Sequence, residues 1–299
     1  MSFLTVSHST VYRYREPVRL GEHRMMFRPR ASHDLRLIET RLVITPRPAH
    51  LRWLHDSFDN SVAIASFEGT TSALSFESTV ALEHFESTLL EYPLEEHART
   101  YPFRYSDEDF PNLVRALAPH YPNESVGEWA LRFLDMSDST GTMAMLRAMT
   151  QGIRDGFAYV RRPEKGVQTP DETLKSRRGS CRDLAVLMME AARSLGVASR
   201  FVSGYIYAPE RSGLEGGGAT HAWMQAYLPG AGWIDFDPTN SIVGNRNLIR
   251  VAVAWAPEYV LPLWGTYMGP PDAFVGMDVD VDVRVSEAAE RGGRATGTE

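Results

Sequence analysis

The stretch that decides the fold of this chain is GSCRDLAVLMMEAARSLG, residues 179–196. Its apolar residues recur with the period of a helix and form a stripe made of Leu184, Leu187, Met188, Ala191 and Leu195. Gly196 follows the stripe, where helices commonly end in a left-handed residue. Ser180 and Asp183 have the spacing of a capping box, with Ser180 as the N-cap. We therefore predict a helix whose first residue is Cys181.

Cys181 is the only cysteine among 299 residues. A thiol at a helix N-terminus lies at the positive end of the helix dipole, and such thiols ionise below about pH 8.5. Arg177, Arg178 and Arg182 add positive charge nearby. The alternative interpretation is a small buried hydrophobe, which is the commonest role of a free cysteine. The flanking Gly-Ser and Arg-Asp pairs are polar, so the local sequence favours a reactive thiol.

A reactive thiol needs a partner that exchanges protons, and histidine does so with an unperturbed pKa near 6.5. Of nine histidines, His221 alone follows the cysteine, at the predicted start of a strand behind the glycines of residues 216–218. A carboxylate should orient its imidazole. Asp235 and Asp237 both lie on the facing strand of the predicted hairpin, on one face of it. Spacing alone does not decide which of the two aspartates orients the imidazole.

The segments around this helix predict an α+β fold. From Phe3 to about Phe85 apolar residues alternate with period two, which predicts an antiparallel β-sandwich of short strands. Helical spacing follows, and after the cysteine helix come three short segments typical of antiparallel strands.

We predict four regions along the chain. Residues 1–89 form an N-terminal β-rich domain, and residues 90–140 form a connecting segment with short helices. The catalytic core with a C-terminal extension covers 141–285, and 286–299 form a flexible tail.

Composition excludes several classes of protein. Hydrophobic residues make up 43% and charged residues 23%, as in ordinary globular proteins, and the net charge of −7 offers no broad cationic field for nucleic acid or membrane surfaces. No apolar run approaches about 18 residues, and the N-terminal residues lack a basic segment followed by an apolar one. A single cysteine forms no internal disulfide, so we expect a cytoplasmic protein. Without a second cysteine or a His-Glu-x-x-His motif, we expect no metal and no other cofactor.

Three segments together resemble the transglutaminase-like superfamily, in its bacterial cysteine-protease-like branch: FAYV…TPDETL, the cysteine helix with its following strand, and THAWMQAYLPGAGWIDFDPTN. VSHSTVYRYREPVRLGEHRMMFRPR, residues 6–30, resembles the bacterial transglutaminase-like N-terminal region. The resemblance implies a papain-like core of helix and antiparallel sheet behind an N-terminal β-sandwich. It also implies Cys181 as nucleophile, His221 as base and Asp237, in preference to Asp235, as the orienting carboxylate. Many members have Gln where this chain has Arg182, a difference at the substrate entrance.

The implied activity is thiol-dependent acyl transfer through a thioester on a peptide, protein or small amide substrate, with hydrolysis of peptide or isopeptide bonds favoured. Ser180, Asp183 and Trp223 are expected to support the site, and Tyr159 is a candidate donor to the oxyanion. One alternative is a transglutaminase or amide-forming acyltransferase that uses an amine acceptor. Another is a non-catalytic binding protein on the same scaffold.

Overall fold

The computed structural model describes most of the chain: residues 2–86, 91–122, 124–135, 139–162, 164, 166–208 and 213–285. The predicted tail, 286–299, lies outside the described residues. Within the described part, each helix is too short or too polar to span a lipid bilayer.

Strands dominate the two ends of the described chain, and the α-helices lie between them. The helices are α1 (Phe110–Leu117), α2 (Glu124–Leu131), α3 (Thr142–Gly156), α4 (Pro170–Ser176) and α5 (Cys181–Ser194). The strands before α3 are β1 (Ser2–Met25), β2 (Leu35–Thr45), β3 (His50–His55), β4 (Ser61–Ser66), β5 (Thr71–His84), β6 (Thr100–Tyr101) and β7 (Thr140–Gly141). The strands after α3 are β8 (Ala158–Tyr159), β9 (Arg178–Gly179), β10 (Ser199–Ile206), β11 (His221–Leu228), β12 (Gly232–Asp237), β13 (Ile242–Val243), β14 (Leu248–Ala254), β15 (Leu263–Met268) and β16 (Phe274–Val285).

The N-terminal region is strand-rich and antiparallel, in the order β2-β5-β1-β4-β3. The prediction of short strands was wrong for β1 and β5, which have 24 and 14 residues. The first part of β1 pairs with β5, and its last part, His23–Met25, pairs with β4. Its pairing with β5 shifts register between Arg13 and Val18, around Pro17, so β1 continues from β5 to β4 as one irregular strand.

Side chains of this N-terminal sheet form an apolar cluster that includes Val18, Met25, Leu74 and Phe76. The period-two pattern of the sequence is confirmed, because alternate residues of β1 are buried along much of the strand. The last two strands, β15 and β16, also pair with β1, so the end of the described chain returns to the first sheet.

The core consists of α5 against the antiparallel sheet β13-β12-β11-β10-β14. The even-numbered residues of β11, such as Met224, pack with Leu184, Leu187 and Met188 of α5 in one cluster. Helix α5 also contacts α2, α3 and α4, so it is buried on nearly all sides. Truncating the fully buried Leu187 to alanine should cost roughly 2–5 kcal/mol. The burial of α5 fixes the position of Cys181 at its first turn.

Polar contacts join the sandwich to the core sheet. His8 of β1 hydrogen-bonds with the hydroxyl of Tyr205 on β10 at 2.9 Å and with Thr10 at 3.0 Å. Burial lowers the pKa of His8 to about 4, so its ring is neutral near pH 7. Asn60 exchanges two hydrogen bonds with the backbone of Val253 on β14, at 2.9 and 2.8 Å. These contacts hold the N-terminal sheet against the core.

Candidate active site

Cys181 occupies the position that the sequence predicts. It is the first residue of α5, it follows Ser180 in extended conformation, and only 6% of its surface is exposed. The backbone N–H and the hydroxyl of Ser180 both donate to Asp183 Oδ2, at 2.7 and 2.8 Å. Asp183 thereby holds the residue before the thiol, which supports its prediction as a helix-capping residue.

Asp183 is completely buried, and its charge is met by Arg162. Arg162 Nε donates to Asp183 Oδ2 at 2.8 Å, and the backbone N–H of Gln168 donates to Oδ1 at 2.7 Å. One carboxylate therefore joins the start of α5 to the loop that precedes α4. Sequence reasoning missed Arg162, because nothing in the local pattern connects a loop arginine with a residue 21 positions later.

His221 and Asp237 meet at the adjacent ends of β11 and β12. His221 Nε2 lies 2.8 Å from Asp237 Oδ2, and both side chains are fully buried. Asp237 also accepts from the backbone N–H of Thr239 at 2.9 Å and from the amide of Asn240 at 2.8 Å. Three donors thus fix the carboxylate. Asn240 was not predicted, although it follows Asp-Pro-Thr directly in the sequence.

The second nitrogen of His221, Nδ1, is buried and has no hydrogen-bond partner within the described residues. Burial alone would lower the pKa of His221, but the Asp237 carboxylate and the nearby Cys181 thiol raise it to about 10. Gly216 covers this nitrogen, because a Cβ added there would lie 2.5 Å from Nδ1, and its φ of +94° also favours glycine. The ring is thus held by Asp237 on one side and is near the thiol.

Asp235 does not share this role, although it lies on the same face of β12. Its Oδ1 accepts from Trp223 Nε1 at 2.6 Å and from the amide of Gln225 at 2.8 Å. Trp223 in turn stacks against the imidazole of His221, with ring centroids 5.9 Å apart and planes 29° apart. Trp223 therefore packs against one face of the His221 ring, and Asp235 holds Trp223 through a hydrogen bond.

Tyr159, the candidate oxyanion donor, lies on β8, whose parallel partner β9 leads into α5. It is half-buried, and burial, followed by the charge of Cys181, raises the pKa of its hydroxyl to about 12. The hydroxyl therefore stays protonated near neutral pH, in the neighbourhood of the thiol. Within the described residues, no group of three or more His, Cys, Asp or Glu side chains is arranged to hold a metal ion.

A thiol at a helix start, an imidazole with one nitrogen near that thiol, and a carboxylate on the other nitrogen form a set able to perform nucleophilic acyl transfer. The carboxylate fixes the ring and favours its charged form. The imidazolium can deliver a proton to a leaving group.

Comparison with known proteins agrees with this architecture. Residues 4–83 match the bacterial transglutaminase-like N-terminal region, and residues 134–238 match the transglutaminase-like superfamily. The second match contains Cys181, His221 and Asp237.

Two mycobacterial relatives are named as uncharacterized proteins. The chain is 36% identical over 121 residues to an uncharacterized protein of Mycobacterium leprae, a match that covers 40% of this chain and 41% of that protein. It is 27% identical over 290 residues to an uncharacterized protein of Mycobacterium bovis, a match that covers 92% of this chain and 91% of that protein.

A solved structure, described as "a Putative Cysteine Protease from Cytophaga hutchinsonii", has the same fold, with a TM-score of 0.70 and 17% sequence identity. The superposition covers 96% of this chain and 93% of that one. It confirms the predicted fold class, an α+β core of helix and antiparallel sheet preceded by a strand-rich N-terminal region. Residues 134–238 of this chain thus match the transglutaminase-like superfamily, and residues 4–83 match the bacterial transglutaminase-like N-terminal region ahead of that core.

Proposed function

We propose that this protein is a thiol-dependent acyl-transfer enzyme that hydrolyses amide bonds, peptide or isopeptide, in a peptide, protein or small amide substrate. Cys181 is the nucleophile, His221 exchanges protons, and Asp237 orients the imidazole. The observation that carries the proposal is that the two ring nitrogens of His221 have different surroundings. Its Nε2 lies 2.8 Å from Asp237 Oδ2, while its buried Nδ1 has no partner within the described residues other than the nearby Cys181 thiol.

The first half of the reaction forms a thioester. The Cys181 thiolate attacks the amide carbonyl carbon, a C–S bond forms, and the carbonyl electron pair moves to oxygen. When this oxyanion collapses, the C–N bond breaks, and the leaving amine takes a proton from Nδ1 of the His221 imidazolium. The acyl group remains on sulfur, and the imidazole is left neutral.

The second half restores the thiolate. Neutral His221 accepts a proton from water as the water oxygen attacks the thioester carbonyl, and the C–S bond then breaks. The products are a carboxylic acid and the starting pair of thiolate and imidazolium. The raised pKa of His221, about 10, means that the imidazolium is the resting form near neutral pH.

The oxyanion needs donors that are in place before the reaction. The backbone N–H of Cys181 is one candidate, because the first N–H groups of a helix have no partner within the helix. The Tyr159 hydroxyl is the other, because burial and the charge of Cys181 keep it protonated. We propose these two groups as the oxyanion site.

Hydrolysis and amine transfer share the acyl-enzyme and differ only in the acceptor. Water needs no second binding site, and we therefore favour hydrolysis over transamidation. Product analysis decides between them: acyl-enzyme formed on a peptide amide should yield free acid in the presence of excess primary amine. A product that carries the amine would establish the transferase alternative instead.

The first experiment measures alkylation of the single thiol by iodoacetamide from about pH 4 to about pH 10, for the native protein, His221→Ala and His55→Ala. His55 is an exposed histidine of the sandwich, with 71% of its side chain accessible, and serves as the matched control. We expect the native protein and His55→Ala to react at neutral and mildly acidic pH, and His221→Ala to lose that reactivity. A thiol that reacts equally in all three proteins would contradict the proposed pair and favour the binding-protein alternative.

A further inference from the structure

A cavity of about 740 Å³ lies where the N-terminal region meets the core sheet. Its volume falls in the range of small-molecule sites, roughly 300–1,000 Å³. Arg30 and Asp34 line it from the N-terminal side, and Arg200, Trp233 and Asp235 line it from the core. None of the three residues proposed for catalysis lines this cavity. It is therefore separate from the candidate active site.

Arg200 on β10 is the arginine of this cavity that forms no salt bridge with a carboxylate of the described residues. Its Nε donates to the side-chain oxygen of Gln225 at 2.8 Å, and its guanidinium lies over the ring of Trp233, 4.1 Å from the ring centroid. Within the described residues, its two terminal nitrogens have neither a hydrogen-bond acceptor nor a carboxylate. Gln225 and Trp233 thus fix the plane of the guanidinium and leave its outer edge unused.

The two neighbouring arginines differ from Arg200, because both are paired. Arg250 contacts Asp34 at 3.3 Å and Asp235 at 3.9 Å, and Arg30 contacts Asp59 at 2.9 Å.

Burial lowers the pKa of Arg200 to about 9, and the positive charge of Arg250 acts in the same direction, while Asp235 opposes both. Arg200 is half-buried and has lost part of its hydration, so a bound anion would stabilise its positive charge.

We propose that this cavity binds a small molecule that carries a single carboxylate next to a flat apolar group. The outer edge of a guanidinium is a planar fork that matches the two oxygens of a carboxylate. Trp233, Tyr92 and Phe85 line the same cavity and offer apolar surface to the rest of the ligand.

A carboxylate fits this cavity better than a phosphate because two aspartates line it. Asp34 and Asp235 would repel a doubly charged anion more strongly than a singly charged one. Arg250 already lies between these two carboxylates, so it offsets only part of their charge. The site should therefore select one negative charge over two.

Calorimetric titration of the full chain with hippurate tests the proposal, because hippurate joins a carboxylate to a phenyl ring. We expect saturable binding of one molecule per chain, and binding at least about tenfold weaker for hippurate methyl ester and for inorganic phosphate. The same affinity for hippurate is expected in Cys181→Ala. The result is thus independent of the proposed chemistry at the thiol.

Two substitutions locate the bound molecule. Arg200→Gln should weaken hippurate binding at least about tenfold, whereas Arg246→Gln, at an exposed arginine outside the cavity lining, should leave it unchanged. Binding that is equal in both variants would overturn the proposal. Two results need only the native protein and would overturn it as well: equal affinity for acid and ester, or no saturable binding up to about 10 mM hippurate.

Discussion

The two aspartates of β12 occupy neighbouring positions on one face of one strand and have different partners. Asp237, at the end of the strand, meets His221, Thr239 and Asn240. Asp235 faces a tryptophan, a glutamine and an arginine. Both carboxylates are buried. The difference therefore lies in what each carboxylate touches.

One strand thus contributes to both proposed sites. The Asp237 end joins the proposed catalytic histidine, which stands near the start of α5. The Asp235 end forms part of the lining of the cavity that contains Arg200. Burial raises the pKa of Asp235, an effect that Arg250, Trp223 and Gln225 oppose. Asp235 therefore serves as the hydrogen-bond acceptor for Trp223 and Gln225, and substitutions at the two aspartates should have different effects.

The largest expected effect is on turnover. Asp237→Asn should lower kcat roughly 10²–10⁴-fold, because an amide does not stabilise the imidazolium of His221. Asp235→Asn should lower it less than about tenfold, because its carboxylate reaches His221 only through Trp223. Steady-state rates on a peptide amide compare the two variants. Equal losses would contradict the separation of roles.

The next effect is on stability. Asp235→Ala should lower the free energy of unfolding by about 3 kcal/mol, because Trp223 Nε1 and the Gln225 amide lose a buried acceptor. The matched control is Asp278→Ala, at an exposed strand residue paired with Arg13, where the change should stay below about 1 kcal/mol. Urea denaturation followed by circular dichroism measures both. A change in Asp235→Ala no larger than in the control would show that its buried hydrogen bonds contribute little.

The pH dependence of kcat should differ between variants at Asp237 and variants at Asp235. The pKa of His221 is raised to about 10, so kcat should fall as pH rises through that value and the imidazolium is lost. In Asp237→Asn this alkaline limb should move down by at least about one pH unit, since the largest raising influence is removed. In Asp235→Asn it should stay in place. A limb that stays near its native position in Asp237→Asn would show that Asp237 does not set the protonation of His221.

The raised pKa of His221 also makes the free energy of unfolding depend on pH. The pKa of His221 lies above its unfolded value of 6.5, so protonation of His221 favours the folded state. The contribution is fully present below about pH 6.5 and is lost as pH rises through about 10. Asp237→Asn should therefore flatten the dependence of unfolding free energy on pH between these values, as denaturant titrations at several pH values would measure. An unchanged slope would contradict this linkage.

The smallest effect concerns Trp223, which connects the two ends. Trp223→Phe keeps an aromatic ring against His221 but removes the donor to Asp235, so it should cost about 1 kcal/mol of stability. Its kcat should change less than that of Asp237→Asn. Thermal unfolding and turnover measured on one preparation test this. A loss of turnover as large as that of Asp237→Asn would make the tryptophan, rather than the carboxylate, the main support of the histidine.

Much of the architecture was accessible from local pattern. The period of the apolar residues predicted α5 and its start at Cys181, and the turn before Gly232 predicted the β11–β12 hairpin that brings His221 and Asp237 to one face. These features depend on residues close in sequence, where period and capping chemistry are decisive. The catalytic roles of the three residues stay a prediction.

Contacts between residues far apart in the sequence could not be predicted from local pattern. Arg162 reaches Asp183, and Gly216 covers His221, through loops whose sequences have no period. The return of β15 and β16 to β1 also escaped prediction, because alternation shows which face of a strand is buried but not which strand lies beside it.

The sequence by itself determined a buried helix that begins at the only cysteine, a strand that begins at His221, and a second strand with two aspartates on one face. Only the tertiary structure decided which aspartate meets the histidine and which holds Trp223, and only it placed Arg200 in a cavity where no carboxylate of the described residues forms a salt bridge with it. The reason is physical: propensity and period act over one or two turns of chain. The environment of a buried charge depends instead on side chains that arrive from distant segments.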